Sequence, residues 1–328
     1  MIEVGEHAAH TDGQAHHHST HTDGQAHHHH THAKASRHEQ GHHLLQVEDL
    51  SVGFRMYDPD AGSFFAAQKK TVPVISGLSI SVHAGEIVAV VGASGSGKTL
   101  LADAIMGLYE PIAQVSGRIW FDGTLQDAES LARLRGCGLS LVPQSVNYLD
   151  PLMKVGKQVR GAGRGSRAAR SARAARTARQ RALFERYGLA PEVENLYPHE
   201  LSGGMARRVL LCCALMDGPR VIIADEPTPG LDLELAVRAL DDFRSFADAG
   251  GGVMLITHDI ELALRVSDRV AVFHEGTIVE ETSVANFAAP DTLRHPFSRA
   301  LWHALPEHGF STEGKRPCMC DFLVEGGR

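Results

Sequence analysis

The chemistry in this chain begins at "GASGSGKT", Gly92 to Thr99, which fits G-x-x-x-x-G-K-[ST] without a mismatch. Gly92, Ala93, Ser94, Gly95, Ser96 and Gly97 form a loop whose backbone N–H groups can turn inward around phosphate oxygens. Lys98 is placed to reach the terminal phosphates, and the Thr99 hydroxyl to ligate Mg²⁺. A second motif, "VIIADE", Val221 to Glu226, is an apolar run ending in two acids. Asp225 suits Mg²⁺, directly or through water, and Glu226 lies where a carboxylate polarises an attacking water.

These residues need elements to position them. The apolar stretch Ile87 to Val91 directly before the loop predicts a parallel strand covered on both faces, with a helix opening after the loop. "VIIADEP" from Val221 and "GVMLITHD" from Gly252 predict two more such strands. Buried strands separated by helix-length segments give a parallel α/β sheet. Order is expected to begin at "LLQVEDLSVGF", Leu44 to Phe54, which alternates like a strand, and "MYDPDAGSFFAAQKK" reads as a loop.

Composition excludes several classes. With 328 residues and 43% apolar side chains, the chain can bury a large core. The net charge of -7 gives no global basic field, so no nucleic-acid partner is expected. No apolar run approaches the ~20 residues needed to span a bilayer. Five cysteines make no disulfide framework, and Cys212 and Cys213 read as core. Between Arg160 and Arg186, arginine recurs every third residue from Arg164 to Arg179 with alanine between most of them. A solvated helix is the plain reading; a patch for nucleic acid or anionic lipid is the other.

Residues 1–43 carry 14 of the 21 histidines and almost no large apolar side chains, which predicts a disordered tail. The unit HTDGQAHHH occurs at His10 and again at His21. A tag, a spacer and a metal-binding segment are all compatible with it. In the last case His16, His17, His18, His27, His28, His29 and His30 would offer neutral imidazole to Ni²⁺ or Zn²⁺.

"PHELSGGM" from Pro198 narrows the P-loop class. Here the chain resembles the ATP-binding-cassette (ABC) ATPases, whose signature is a variant of L-S-G-G-Q. The resemblance implies that Leu201, Ser202, Gly203, Gly204 and Met205 address the ATP held on a partner's P-loop, so that cassettes close head to tail. It carries over further landmarks in order. Gln144 matches the Q-loop glutamine and would join Thr99 and Asp225 around Mg²⁺. Asp232 matches the D-loop aspartate, and His258 the switch histidine near the γ-phosphate. Phe54, ending the first strand, matches the aromatic that stacks on adenine, with Tyr57 close by. Glu226, His258, Lys98 and Gln144 are thus the expected catalytic set, with ATP and Mg²⁺ required.

"YPHELSGGM", "LDPLMKVGKQV" and "HPFSRALWHALP" are similar to the oligopeptide, dipeptide and nickel importer ATPases, which also carry a C-terminal extension. Arg207, where that subfamily usually has glutamine, and "PTPGLD" in place of "PTTALD" depart from its pattern. The implied fold is a P-loop ABC ATPase core with a parallel sheet, an antiparallel β edge subdomain and an inserted α-helical subdomain at about 145–205. The implied organisation is the tail (1–43), the ATPase domain (44–285) and the extension (286–328), which contains Cys318 and Cys320. The implied role is the peripheral ATPase subunit, at the cytoplasmic face of the cell membrane, of an ABC importer. Its partners would be a second ATPase subunit, favoured as a heterodimer, two permease subunits and an extracytoplasmic substrate-binding protein. The histidine-rich tail points the cargo expectation to a transition metal, nickel first, with cobalt or zinc next and oligopeptides as the alternative. A soluble, non-transport ABC ATPase is the rival class.

Overall fold

The computed structural model describes residues 42–57, 69–161, 169–288 and 290–305. In chain order the described elements are β1 (His43–Tyr57), β2 (Lys69–His83), β3 (Ile87–Val91), α1 (Lys98–Met106), β4 (Ala113–Phe121), β5 (Thr124–Gln126), α2 (Ala128–Leu134) and β6 (Leu139–Val142). Then come α3 (Val155–Arg160), α4 (Ala169–Arg186), α5 (Gly203–Leu215), β7 (Val221–Asp225), α6 (Leu233–Asp248), β8 (Gly252–Thr257), α7 (Ile260–Val266), β9 (Arg269–His274), β10 (Thr277–Ser283) and α8 (Pro296–His303).

Two sheets form. One is antiparallel, in the order β2-β1-β4-β5; the other runs β10-β9-β3-β8-β7-β6, with only β10 antiparallel to its neighbour. The central strands are apolar throughout because both faces are covered. Ile87, Ala89 and Val91 of β3 face one core with α5 and α6, while Val88 and Val90 face the other with α1 and the antiparallel sheet. Ile222 and Ala224 against Val221 and Ile223 repeat the division on β7. This is the expected α/β cassette fold, with the helices α3 to α5 inserted between β6 and β7.

The entrance to β3 is fixed by a buried ion pair. Glu86, 1% exposed, takes Arg269 Nε at 2.8 Å and His83 Nδ1 at 2.6 Å, and Arg269 also reaches the Ser81 carbonyl at 2.6 Å. The cluster joins β2, the turn before β3, and β9.

The first strand corrects two expectations. β1 starts at His43 and continues through Met56 and Tyr57, so those residues belong to the strand rather than to a loop. Phe54 is therefore not its end: it lies inside β1, half-buried, paired with Val72 on one side and Ala113 on the other. Long antiparallel pairing with β2 carries the strand past the point where alternation fades in the sequence. The described part of the arginine repeat, from Arg170 on, forms a helix, α4, but is not only solvated. Arg176 bonds Asp217 and the Arg160 carbonyl, and Arg179 bonds the Leu215 carbonyl at 2.8 Å. The candidate metal-binding histidines His16, His17, His18, His27, His28, His29 and His30, with Cys318 and Cys320, lie outside the described residues, whereas His42 and His43 of the expected tail lie inside them, His43 as the first residue of β1.

Candidate functional site

β3, buried at all five positions, ends at the loop 92–97, and α1 opens on Lys98. Gly95 and Gly97 adopt φ of 75° and 106°, the left-handed region that glycine occupies without a Cβ clash. Gly92 has a different reason: a Cβ there would sit 2.2 Å from the Phe273 carbonyl oxygen of β9. Lys98 is 6% exposed and folds across the loop, donating to the Gly92 carbonyl at 3.0 Å and the Ala93 carbonyl at 2.7 Å. Burial lowers its pKa, and the carboxylates of Glu226 and Asp225 oppose that shift. Phosphate oxygens offered to this cation and to the N-terminus of α1 would replace those carbonyl contacts with stronger, oppositely charged ones.

Beside the loop is a set of hard oxygen atoms. Thr99 Oγ1 lies 3.3 Å from Gln144 Oε1, which brings α1 and the segment after β6 together. Asp225, at the end of β7, is 2% exposed, and its Oδ1 is buried with no hydrogen-bond partner. Burial pushes its pKa up to about 6, against a hydrogen bond from Thr99 and with the Glu226 charge adding to the rise. An orphaned buried carboxylate oxygen next to a hydroxyl and an amide oxygen is an all-oxygen set of the kind that suits Mg²⁺.

Glu226 is the most constrained residue of the site. It is 6% exposed and holds φ of 49°, rare for a residue with a side chain. Its N–H continues the sheet, donating to the Ile256 carbonyl at 2.8 Å. Its Oε1 receives the His258 backbone N–H at 3.0 Å and lies 2.7 Å from His258 Nδ1; its Oε2 receives the Thr257 hydroxyl at 3.3 Å. Its carbonyl accepts from Arg207 Nη1 at 3.2 Å. Oε2, with one long bond, keeps capacity for a water. Such a carboxylate can orient a water without changing its own position.

The signature residues stand at the N-terminus of α5. The Ser202 hydroxyl accepts the Met205 N–H at 3.3 Å, and the space over Gly203 is open within 4 Å of where a Cβ would be. Leu201 and Met205 pack against the core around α5. Gly204 abuts the Gly230 carbonyl, 3.2 Å from where its own Cβ would be. Asp232 caps α6, accepting the Leu235 N–H at 2.9 Å. The structure thus brings Lys98, Thr99, Gln144, Asp225, Glu226 and His258 to the ends of adjacent strands. Phe54 lies on the antiparallel sheet, opposite Val72 of β2, the strand whose Val74 side chain approaches Gly97.

Two residues of this site were missed as participants in the sequence. Thr257 sits inside "LITHD", and its role follows only from the β8 end facing Glu226. Arg207 stands out in the sequence as a departure, but nothing there pairs it with a carbonyl 19 residues away.

Comparison with known proteins bears on the family and the fold. A family model described as ABC transporter matches residues 75–229. The chain is 35% identical over 278 residues to the oligopeptide transport ATP-binding protein OppD of Lactococcus lactis subsp. cremoris strain SK11, covering 81% of this chain and 77% of that protein. It is 33% identical over 291 residues to the glutathione import ATP-binding protein GsiA of Escherichia coli strain K12, covering 81% of this chain and 43% of that one. Among solved structures, the fold resembles the dimeric post-hydrolysis state of the ATP-binding cassette MJ0796 bound to ADP and Pi. The TM-score is 0.61 at 24% identity, over 74% of this chain and 99% of that one.

Proposed function

The chain belongs to the ABC transporter ATPases of the peptide and nickel importer family, and from that premise we propose that it hydrolyses ATP to drive uptake of oligopeptides or peptide-like cargo through a membrane permease. The observation that carries the hydrolytic part is Glu226. It is a buried carboxylate held by His258 and Thr257, beside Asp225 and within electrostatic reach of Lys98. The relatives named for oligopeptides and glutathione support the cargo.

The residues divide the work as follows. The backbone N–H groups of 92–97 and the Lys98 ammonium hold the phosphates and take up charge that develops on the transferred group. Thr99, Gln144 and Asp225 would hold Mg²⁺, which when bound neutralises phosphate charge. Glu226 accepts a hydrogen bond from the attacking water and orients it in line. Water adds to the γ-phosphorus, the bond to the β-phosphate oxygen breaks, and ADP and phosphate leave. His258 fixes Glu226 from one side and presents its other ring nitrogen outward, where it can contact the γ-phosphate. Ser202, Gly203 and Gly204, at an open helix N-terminus, suit the phosphate of a nucleotide on a second cassette; Asp232 caps the next helix beside them. Phe54 remains the candidate adenine contact.

Among the described residues no helix is long and apolar enough to cross a membrane. An importer of this type works with permease subunits and a substrate-binding protein. The site's halves support a pair of cassettes at the cytoplasmic face, and two different ATPases form the pair we favour. The exposed side chains of Tyr148, Leu152 and Met153, just after Gln144, offer an apolar surface for the permease.

A metal cargo is the second reading, and the duplicated HTDGQAHHH supports it. Uptake assays separate the two. Cells lacking this gene should fail to take up a labelled oligopeptide and should import nickel, cobalt and zinc normally; the reverse pattern would move the cargo to metal. Titration of Ni²⁺ and Zn²⁺ into the full chain and into a chain starting at Leu44 tests the tail itself.

A further inference from the structure

Arg207 links the helix headed by the signature residues to the backbone of Glu226. Its guanidinium Nη1 donates to the Glu226 carbonyl at 3.2 Å. Its Nε would lie 3.3 Å from a Cβ on Gly230, so the side chain lies across the turn that leads to Asp232. The first turn of α5 touches the same turn again, where Gly204 abuts the Gly230 carbonyl. The start of α5, the Gly230 turn and Glu226 are thus in mutual contact through Arg207 and Gly204.

Glu226 needs that restraint. It combines φ of 49° with a following proline, Pro227, and both features narrow its backbone choices. The N–H and both carboxylate oxygens are anchored on the β8 side, by Ile256, Thr257 and His258. The carbonyl is anchored on the other side, by α5. A shift of α5 along its axis pulls on the Glu226–Pro227 peptide while the β8 contacts hold the carboxylate, so the load on the His258 contacts follows the position of α5.

We propose that Arg207 couples the two nucleotide sites of the assembled pair. Engagement of a partner's nucleotide at Ser202–Gly204 seats α5, and Arg207 passes that position to the Glu226 backbone of its own site. Arg207 is a positioning residue: it touches neither nucleotide. The proposal rests on the head-to-tail reading given above.

The test is the ATP dependence of hydrolysis by the full chain assembled with its partner ATPase and permease subunits, for wild type, Arg207→Met, Arg207→Gln and Arg207→Lys. Melting temperature is the control for folding, and ATP affinity of the monomer the control for the P-loop. Wild type should be cooperative, with a Hill coefficient approaching the limit of two set by two sites. Arg207→Met and Arg207→Gln should fall towards one and lose about tenfold in saturating turnover, comparable to one charge-assisted hydrogen bond, with monomer ATP affinity unchanged. Arg207→Lys, which keeps the charge and a donor, should recover part of the cooperativity. A cooperative wild type matched by equally cooperative Arg207→Met and Arg207→Gln would overturn the coupling and leave the two-site reading standing. A non-cooperative wild type would overturn both.

Discussion

His258 grips Glu226 twice at one oxygen: its backbone N–H donates to Oε1 at 3.0 Å, and its ring Nδ1 lies 2.7 Å from the same atom. The carboxylate can turn only if both contacts break. Glu226→Gln should therefore keep nucleotide binding and lose hydrolysis by about a hundredfold or more. His258→Ala leaves the backbone contact and should cost less than Glu226→Gln. Phosphate release at saturating Mg·ATP, with affinity from a fluorescent nucleotide, checks the order. Equal losses would mean that His258 does more than aim Glu226.

Asp225 is expensive to keep ionised. Burial raises its carboxyl to about 6, so between roughly pH 4 and 6 the folded chain binds more protons than the unfolded one. Stability from this group therefore falls as pH rises through that window, and at pH 7 the penalty is fully present. Asp225→Asn should stabilise the chain in Mg²⁺-free buffer at pH 7 by at most about 3 kcal/mol, read as a higher melting temperature. The same variant should lose Mg²⁺-dependent hydrolysis. Calorimetry with and without Mg²⁺ reads both effects.

Glu86 has the opposite sign. Burial alone would raise its carboxyl, but hydrogen bonds from His83 and Arg269 and the charge of Arg269 outweigh burial and hold it at about 2. Its contribution is present above about pH 4.5 and is lost as pH falls towards 2. Glu86→Gln should cost on the order of 3 kcal/mol at pH 7 and flatten the stability profile below pH 4.5. Urea unfolding at several pH values checks this, and a profile identical to wild type would contradict it.

Gly92 tests the seat of the phosphate loop. A methyl group at this position would lie 2.2 Å from the Phe273 carbonyl oxygen, so Gly92→Ala must push the loop off β9. A displacement of about an ångström should weaken ATP binding by more than tenfold. Gly203→Ala, where nothing lies within 4 Å, should leave monomer ATP affinity unchanged. Nucleotide titration of the two variants side by side distinguishes a seating effect from a general loss of glycine.

The sequence by itself determined the phosphate loop, the acidic strand end and the buried parallel strands. Each is written in contiguous residues: a glycine pattern, an apolar run, a pair of acids. The signature and switch residues were legible through resemblance, again because each motif is local. Tertiary structure decided what those motifs touch. That Thr257 and His258 fix Glu226, that Arg207 reaches its carbonyl, and that Arg176 and Arg179 tie α4 down all depend on side chains meeting across elements. The end of β1 was decided the same way, by pairing with β2 and β4 rather than by its own alternation. Hydrogen bonds between distant segments leave no period or spacing in the chain, because their geometry exists only once the sheet has set the strand ends side by side.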